Sequence, residues 1–138
     1  YHVSASAEAE GNIVLKAENL PQLISASPAQ FGGPGDQWSP EDLLVASVTD
    51  CFRLTFRAVP RASKLDWSNL EASAEGLLER VDRVTRFTKF TLSVTLAVPE
   101  GTDIGKAERL LEKAEAACLI TNSLTAETHL ETNVIIAT

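Results

Sequence analysis

Two residues of this chain have side chains suited to covalent redox chemistry, Cys51 and Cys118. A cysteine acts as a nucleophile through its thiolate, so it needs a stabilised anion and a route to solvent. A buried cysteine with neither is a small hydrophobe. Two cysteines in 138 residues do not make a secreted disulfide framework, which leaves a cytosolic redox pair or two unrelated buried thiols. The two histidines, His2 and His129, form no close cluster with them, which argues against a metal site. The stretch Phe31-Gly32-Gly33-Pro34-Gly35-Asp36 is a loop, read either as a connection or as backbone held close to a site. No phosphate-loop lysine follows it, so nucleotide binding is rejected and no cofactor is expected.

The element that must position Cys51 spans residues 39–60. Ser39 is a good N-cap, Pro40 suits the first helical position, and Asp42 stands where a capping-box partner belongs. Glu41 and Asp42 bring negative charge to the positive end of the helix dipole. Pro60 is expected to end the helix, because proline lacks the N–H and biases its predecessor away from helix. Leu44, Val48, Cys51 and Thr55 recur on one face. Asp50, Arg53 and Arg57 lie on another, with an Asp50–Arg53 pair of modest worth. Residues 43–48 are nearly apolar all round, which predicts burial. Cys51 thus falls on the apolar face where charge first appears. The helix alone favours a core cysteine over a nucleophile.

The length suits a single domain over residues 1–138 with one sizeable core. A hydrophobic content of 44% against 22% charged residues makes it globular rather than disordered. A net charge of −7 argues against nucleic acid, since phosphate binding needs a basic face. No apolar run is long enough to span a membrane, and the N-terminus lacks a basic flank and an apolar signal core. A cytoplasmic location is expected. Methionine is absent, so the sequence as given is expected to lack its initiator residue.

In chain order, residues 2–10 alternate Val3, Ala5, Ala7 and Ala9 with polar residues, which predicts a half-buried strand. Gly11-Asn12 is a turn, residues 13–18 its hairpin partner, and residues 23–26 a third short strand. After the helix, residues 70–81 have partial strand character and residues 82–85 turn. The strongest strand follows, with Phe90, Leu92, Val94, Leu96 and Val98 on one face. A second helix runs over residues 103–117, with Ile104, Ala107, Leu111, Ala114 and Cys118 on one stripe. Residues 127–137 form the last strand, with His129 facing solvent and given no role.

This order of elements resembles the OsmC/Ohr family, the osmotically inducible protein C-like and organic hydroperoxide resistance proteins. Four segments carry the resemblance across essentially the whole chain: Gly32-Gly33-Pro34-Gly35, the run from Ser39 through Ser47 to Cys51, Arg86-Phe87-Thr88-Lys89-Phe90, and Ala117-Cys118-Leu119-Ile120-Thr121-Asn122-Ser123-Leu124. The resemblance implies an α+β fold of antiparallel β-sheets around a long central cysteine-bearing helix, in an intertwined homodimer with sites near the subunit boundary. It implies that Cys51 attacks the peroxide, that Cys118 closes the disulfide, and that Glu41 holds an active-site arginine. In characterised relatives that arginine comes from the N-terminal hairpin. Here residues 1–52 hold no arginine, and Lys16 is their only cation. Arg53, Arg57 and Arg86 are alternative sources of charge, and Arg53, Arg57 and Lys16 are the candidates to stabilise the thiolate.

The implied reaction takes a thiolate to a sulfenic acid, which a second thiol condenses to a disulfide. Burial opposes the thiolate unless something favours the anion. Glu41 and Cys51 are ten positions apart, about 15 Å along one helix. Either the helix begins later than Ser39 suggests, or Glu41 reaches the Cys51 of a partner, or Glu41 is only an N-terminal helix acid. The expected function is a thiol-dependent peroxidase on organic hydroperoxides and hydrogen peroxide, reduced by a dithiol of the dihydrolipoyl type or another thiol. The alternatives are a non-catalytic dimer that binds a small apolar ligand, favoured by the missing arginine, and a redox sensor using the same disulfide.

Overall fold

The alternation of Phe90, Leu92, Val94, Leu96 and Val98 folds as predicted, with all five between 0% and 3% exposed. In the computed structural model, which describes residues 1–137, they lie on one long strand of an α+β chain. The order is β1 (Ser4–Ser6), β2 (Ile13–Lys16), β3 (Leu23–Ser25), a 3-10 turn (Ala29–Phe31), α1 (Pro40–Ser63), β4 (Asn69–Val81), β5 (Val84–Val98), α2 (Ile104–Ala116), α3 (Leu119–Asn122) and β6 (Glu127–Ile136). The chain falls into two compact units, residues 1–44 and the residues from Val45 onward. No helix among the described residues is long and apolar enough to cross a membrane.

In the first unit, β1, β2 and β3 form an antiparallel sheet in that order. The half-buried strand expected over residues 2–10 is only Ser4–Ser6, and it is exposed. Its would-be inner face is mostly alanine, whose methyl groups bury too little area to hold a longer edge strand. Gly11 turns the hairpin at φ 93°, a conformation open to glycine. The glycine loop does approach backbone closely, but the backbone is its own: a Cβ on Gly33 would lie 1.6 Å from the Ser27 carbonyl oxygen. The start of α1 is the capping box read from sequence. The Ser39 hydroxyl and N–H donate to the Asp42 carboxylate at 2.8 and 3.1 Å, and the Asp42 N–H returns to the Ser39 hydroxyl at 3.1 Å.

In the second unit, β4, β5 and β6 form a sheet in that order. It is mixed rather than antiparallel, because β6 runs parallel to β5. The reason is topological: a parallel neighbour needs a crossover, and α2 and α3 supply it. The β4–β5 hairpin closes on Asp82-Arg83, at φ 50° and 69°, as a two-residue turn of this kind requires. The buried stripe of α1 is Val48, Phe52, Phe56 and Pro60, one residue round from the expected face. Phe56 packs edge-on to Trp67 with centroids 5.5 Å apart. At Gly76 a Cβ would meet the Phe87 ring at 2.8 Å and Val45 at 3.0 Å, so glycine lets β4 and α1 approach. On α2, Ala107, Leu110, Leu111 and Ala114 are buried, and Asp103 caps it by accepting from the Lys106 N–H at 3.1 Å. Ile104, placed on that stripe from sequence, is 37% exposed.

Two expectations for α1 change. Within residues 43–48 only Val48 is fully buried. The helix also runs through Pro60 to Ser63. It stops where Lys64 takes φ 56° and the Leu65 N–H closes on the Pro60 carbonyl at 3.2 Å, a Schellman-type ending. Proline forfeits one hydrogen bond, but burial of its ring on the core stripe supports the extra turn. The Lys106 ammonium then donates to the Ser63 carbonyl at 2.9 Å, covering an orphan acceptor of that last turn. The Asp50–Arg53 pair does not form, and both side chains are exposed.

The cap makes a quantitative prediction. Ser39→Ala should lower stability in urea denaturation by about 1 kcal/mol. Asp42→Ala should cost a similar amount, and the double variant less than the sum, because the two residues share the same bonds.

Candidate active site

The Cys51 sulfur lies at the edge of the buried stripe of α1. Phe52, the next residue, is fully buried, and Cys51 itself is half-buried. Thr55, one turn further on, brings its hydroxyl oxygen to 3.9 Å from the sulfur. Cys118 follows α2 and is fully buried. Its backbone is extended, at φ −66° and ψ 113°, which breaks α2 from α3 and makes Cys118 the N-cap of the short helix. The joint is tied down on both sides. The Cys118 carbonyl accepts from the Asn122 N–H at 3.0 Å and from the Thr121 hydroxyl at 3.2 Å, and the Asn122 amide donates to the Ala116 carbonyl at 3.0 Å.

The structure brings the two thiols together and sets them apart in acidity. Burial pushes the Cys51 thiol up, but hydrogen bonds to its anion outweigh burial and leave it below the ordinary cysteine value. Those bonds come from the Ile120 N–H, the Cys118 thiol, the Thr55 hydroxyl and the Leu119 N–H. The two N–H groups open α3, where backbone amides have no carbonyl of their own helix to bond. Cys118 moves the other way. Burial raises it, the Thr121 N–H and hydroxyl offset part of that, and Cys51 raises it further. Of the two thiols Cys51 is therefore the more readily ionised, the kind of split that assigns different tasks to neighbouring groups.

The other residues singled out from sequence lie elsewhere. Glu41 is in the first turn of α1, and its Oε2 is shielded from solvent with no hydrogen-bond partner among the described residues. Lys16 is exposed at the end of β2. Arg53 and Arg57 are exposed on α1. Arg86 is exposed opposite Glu79 in the hairpin. Among the described residues, no lysine or arginine is one of the groups that act on the Cys51 sulfur. His129 faces solvent as expected and lies 3.0 Å from Glu127. An open groove of about 440 Å³ crosses the outer face of the second sheet between Ser73, Ser93, Glu131 and Asn133, and includes neither cysteine.

Sequence reasoning missed Thr55 and the amides of Leu119 and Ile120. Thr55 was legible as the residue one turn after Cys51, but four-residue spacing alone does not distinguish a partner from a core neighbour. The amides carry no side-chain signal at all.

A fold of this order, with one cysteine on a long helix and a second at the joint of two later helices, defines a thiol protein of the OsmC type. The chain belongs to the family of OsmC-like proteins, whose model matches residues 33–133. It is 24% identical over 120 residues to the uncharacterised protein YmaD of Bacillus subtilis, covering 85% of this chain and 79% of that one. It is 28% identical over 93 residues to the peroxiredoxin OsmC of Escherichia coli, covering 67% of this chain and 64% of that one. Its fold is that of the organic hydroperoxide resistance protein OsmC from Legionella pneumophila, with a TM-score of 0.76, 23% identity and 96% and 94% of the two chains covered.

The acidity split is measurable. Alkylation of Cys51 should rise with pH through a midpoint below that of a free cysteine, and Cys118 should react later and at higher pH. Peptide mass spectrometry across a pH series reads both. Equal midpoints would remove the division between the thiols.

Proposed function

We propose that this chain is a thiol-dependent peroxidase that reduces organic hydroperoxides, with hydrogen peroxide as a second substrate. The observation that carries the reading is a half-buried Cys51 with the Thr55 hydroxyl 3.9 Å from its sulfur and a second, fully buried thiol, Cys118, at the α2–α3 joint. The hydrogen bonds that lower the Cys51 thiol and the burial that raises Cys118 agree with it. The Cys51 thiolate attacks one peroxide oxygen, the O–O bond breaks, and the leaving alkoxide takes a proton to become the alcohol. Cys51 is then a sulfenic acid. The Cys118 thiol attacks that sulfur, water leaves, and a disulfide forms. An external dithiol, such as a dihydrolipoyl group, returns both cysteines to thiols and is itself oxidised. The names of the Escherichia coli and Legionella proteins support the reading.

The four donors around Cys51 favour the thiolate from within one chain, where characterised relatives use an arginine. Glu41 stands about 15 Å of helix rise from the Cys51 of its own chain, and α1 begins at Pro40. The place proposed for Glu41 is therefore the site of a partner subunit in a two-fold dimer. A carboxylate oxygen shielded without a donor fits a residue whose partner comes from another chain.

The test is consumption of tert-butyl hydroperoxide with dihydrolipoamide as reductant. The wild type should turn over, and Cys51→Ser should fall to the rate of the dithiol alone. Cys118→Ser treated with peroxide in the absence of any reductant should release about one equivalent of alcohol and then accumulate Cys51 sulfinic acid, where the wild type stops at the disulfide. Light scattering should show two chains per particle at micromolar concentration. A wild type that forms the disulfide but consumes peroxide no faster than the dithiol alone would replace catalysis with sensing.

A further inference from the structure

Helix α1 contains two threonines with different hydrogen bonds. A threonine inside a helix ordinarily turns its hydroxyl back to the carbonyl four residues earlier. Thr49 does this, donating to the Val45 carbonyl at 3.1 Å. Thr55 does not: its hydroxyl lies 3.9 Å from the Cys51 sulfur, within the longer reach of a sulfur hydrogen bond. Threonine is a mediocre helix former, so packing alone would be met as well by alanine or valine at this half-buried position.

We propose that Thr55 is a positioning residue for the Cys51 thiolate, resting on the peroxidase reading above, and that its hydroxyl takes over part of the task of the arginine missing from residues 1–52. The chemistry separates the two protonation states. While Cys51 is a thiol, either group can donate to the other. Once it is a thiolate the sulfur only accepts, so the Thr55 O–H must point at it, and the bond becomes charge-assisted. The hydroxyl thereby favours the anion and holds the sulfur on the side of α1 where the Leu119 and Ile120 amides meet it. Among the described residues, the titratable group that acts on Cys51 is Cys118, from the α2–α3 joint. Asp50 and Arg53 flank it on α1 but are exposed on another face; the one charged group that the proposed function adds, Glu41 of the partner subunit, is unchanged in every Thr55 variant. A change in the Cys51 profile on altering Thr55 therefore reports the hydroxyl.

The experiment follows iodoacetamide alkylation of Cys51 against pH by peptide mass spectrometry in the reduced wild type, Thr55→Val, Thr55→Ala, Thr55→Ser and Thr49→Val. Loss of the hydroxyl in the valine and alanine variants should move the midpoint upward and slow alkylation at neutral pH by about tenfold, the low end for a hydrogen bond to a charged group. Serine keeps the hydroxyl and should restore the wild-type profile. Thr49→Val should leave it unchanged. Profiles of the valine and alanine variants that superimpose on the wild type would overturn the proposal. So would an equal shift in all three Thr55 variants, which would show that methyl packing sets the profile. Alkylation needs no peroxide, so a wild type without peroxidase turnover would refute the proposed function while the role of Thr55 at the thiolate is still read directly.

Discussion

Backbone N–H groups at the start of a short helix have no carbonyl of their own to bond, and at α3 two of them meet the sulfur of Cys51. The chemistry proposed for the chain depends on that meeting. It requires α2 to stop where it does, Cys118 to take an extended backbone, and the joint to be held by the Thr121 hydroxyl and the Asn122 amide. It also requires α1 to be locked in rotation. Val48, Phe52, Phe56 and Pro60 provide the lock, because a core packed as densely as a crystal admits one seating of such a stripe. Cys51 and Thr55 then fall at its margin, shielded enough for hydrogen bonds to count and open enough for Cys51 to be reached.

The split between the two thiols follows from one rule applied twice. Burial disfavours a thiolate at both positions. At Cys51 several donors converge and reverse the effect. At Cys118 the donors are fewer, burial is complete, and the neighbouring sulfur adds its own opposition to a second charge. A cation would stabilise Cys51 more strongly, but it would also lower any other thiol within its field. Oriented N–H and O–H groups act over a shorter range, so they can favour one sulfur and spare its neighbour.

Parallel pairing of β6 with β5 is what calls for a crossover between the two strands. A hairpin would have returned the chain beside β5 in a few residues. The crossover instead carries α2 and α3 across, and Cys118 sits at the break between them. The passage of α1 through Pro60 belongs to the same logic: local chemistry argues for a stop, and burial of the ring against the core outweighs one lost hydrogen bond.

The sequence by itself determined whatever a local signal controls. The capping box at Ser39, the inner face of β5, the span of α2 and the elements that hold the two cysteines were all legible, because periodicity and capping act over a few residues. The resemblance in four ordered segments located the family. Tertiary structure alone decided what depends on distant partners. It shortened the N-terminal strand to Ser4–Ser6, whose alanine face has little area to bury. It turned the core face of α1 by one residue, carried that helix past Pro60, and made the second sheet mixed. It also chose the groups that meet the Cys51 sulfur. Two of these are backbone amides, identical in every residue but proline, so no side-chain pattern marks them; only the three-dimensional path of the chain can aim them at a thiol sixty-eight and sixty-nine positions away.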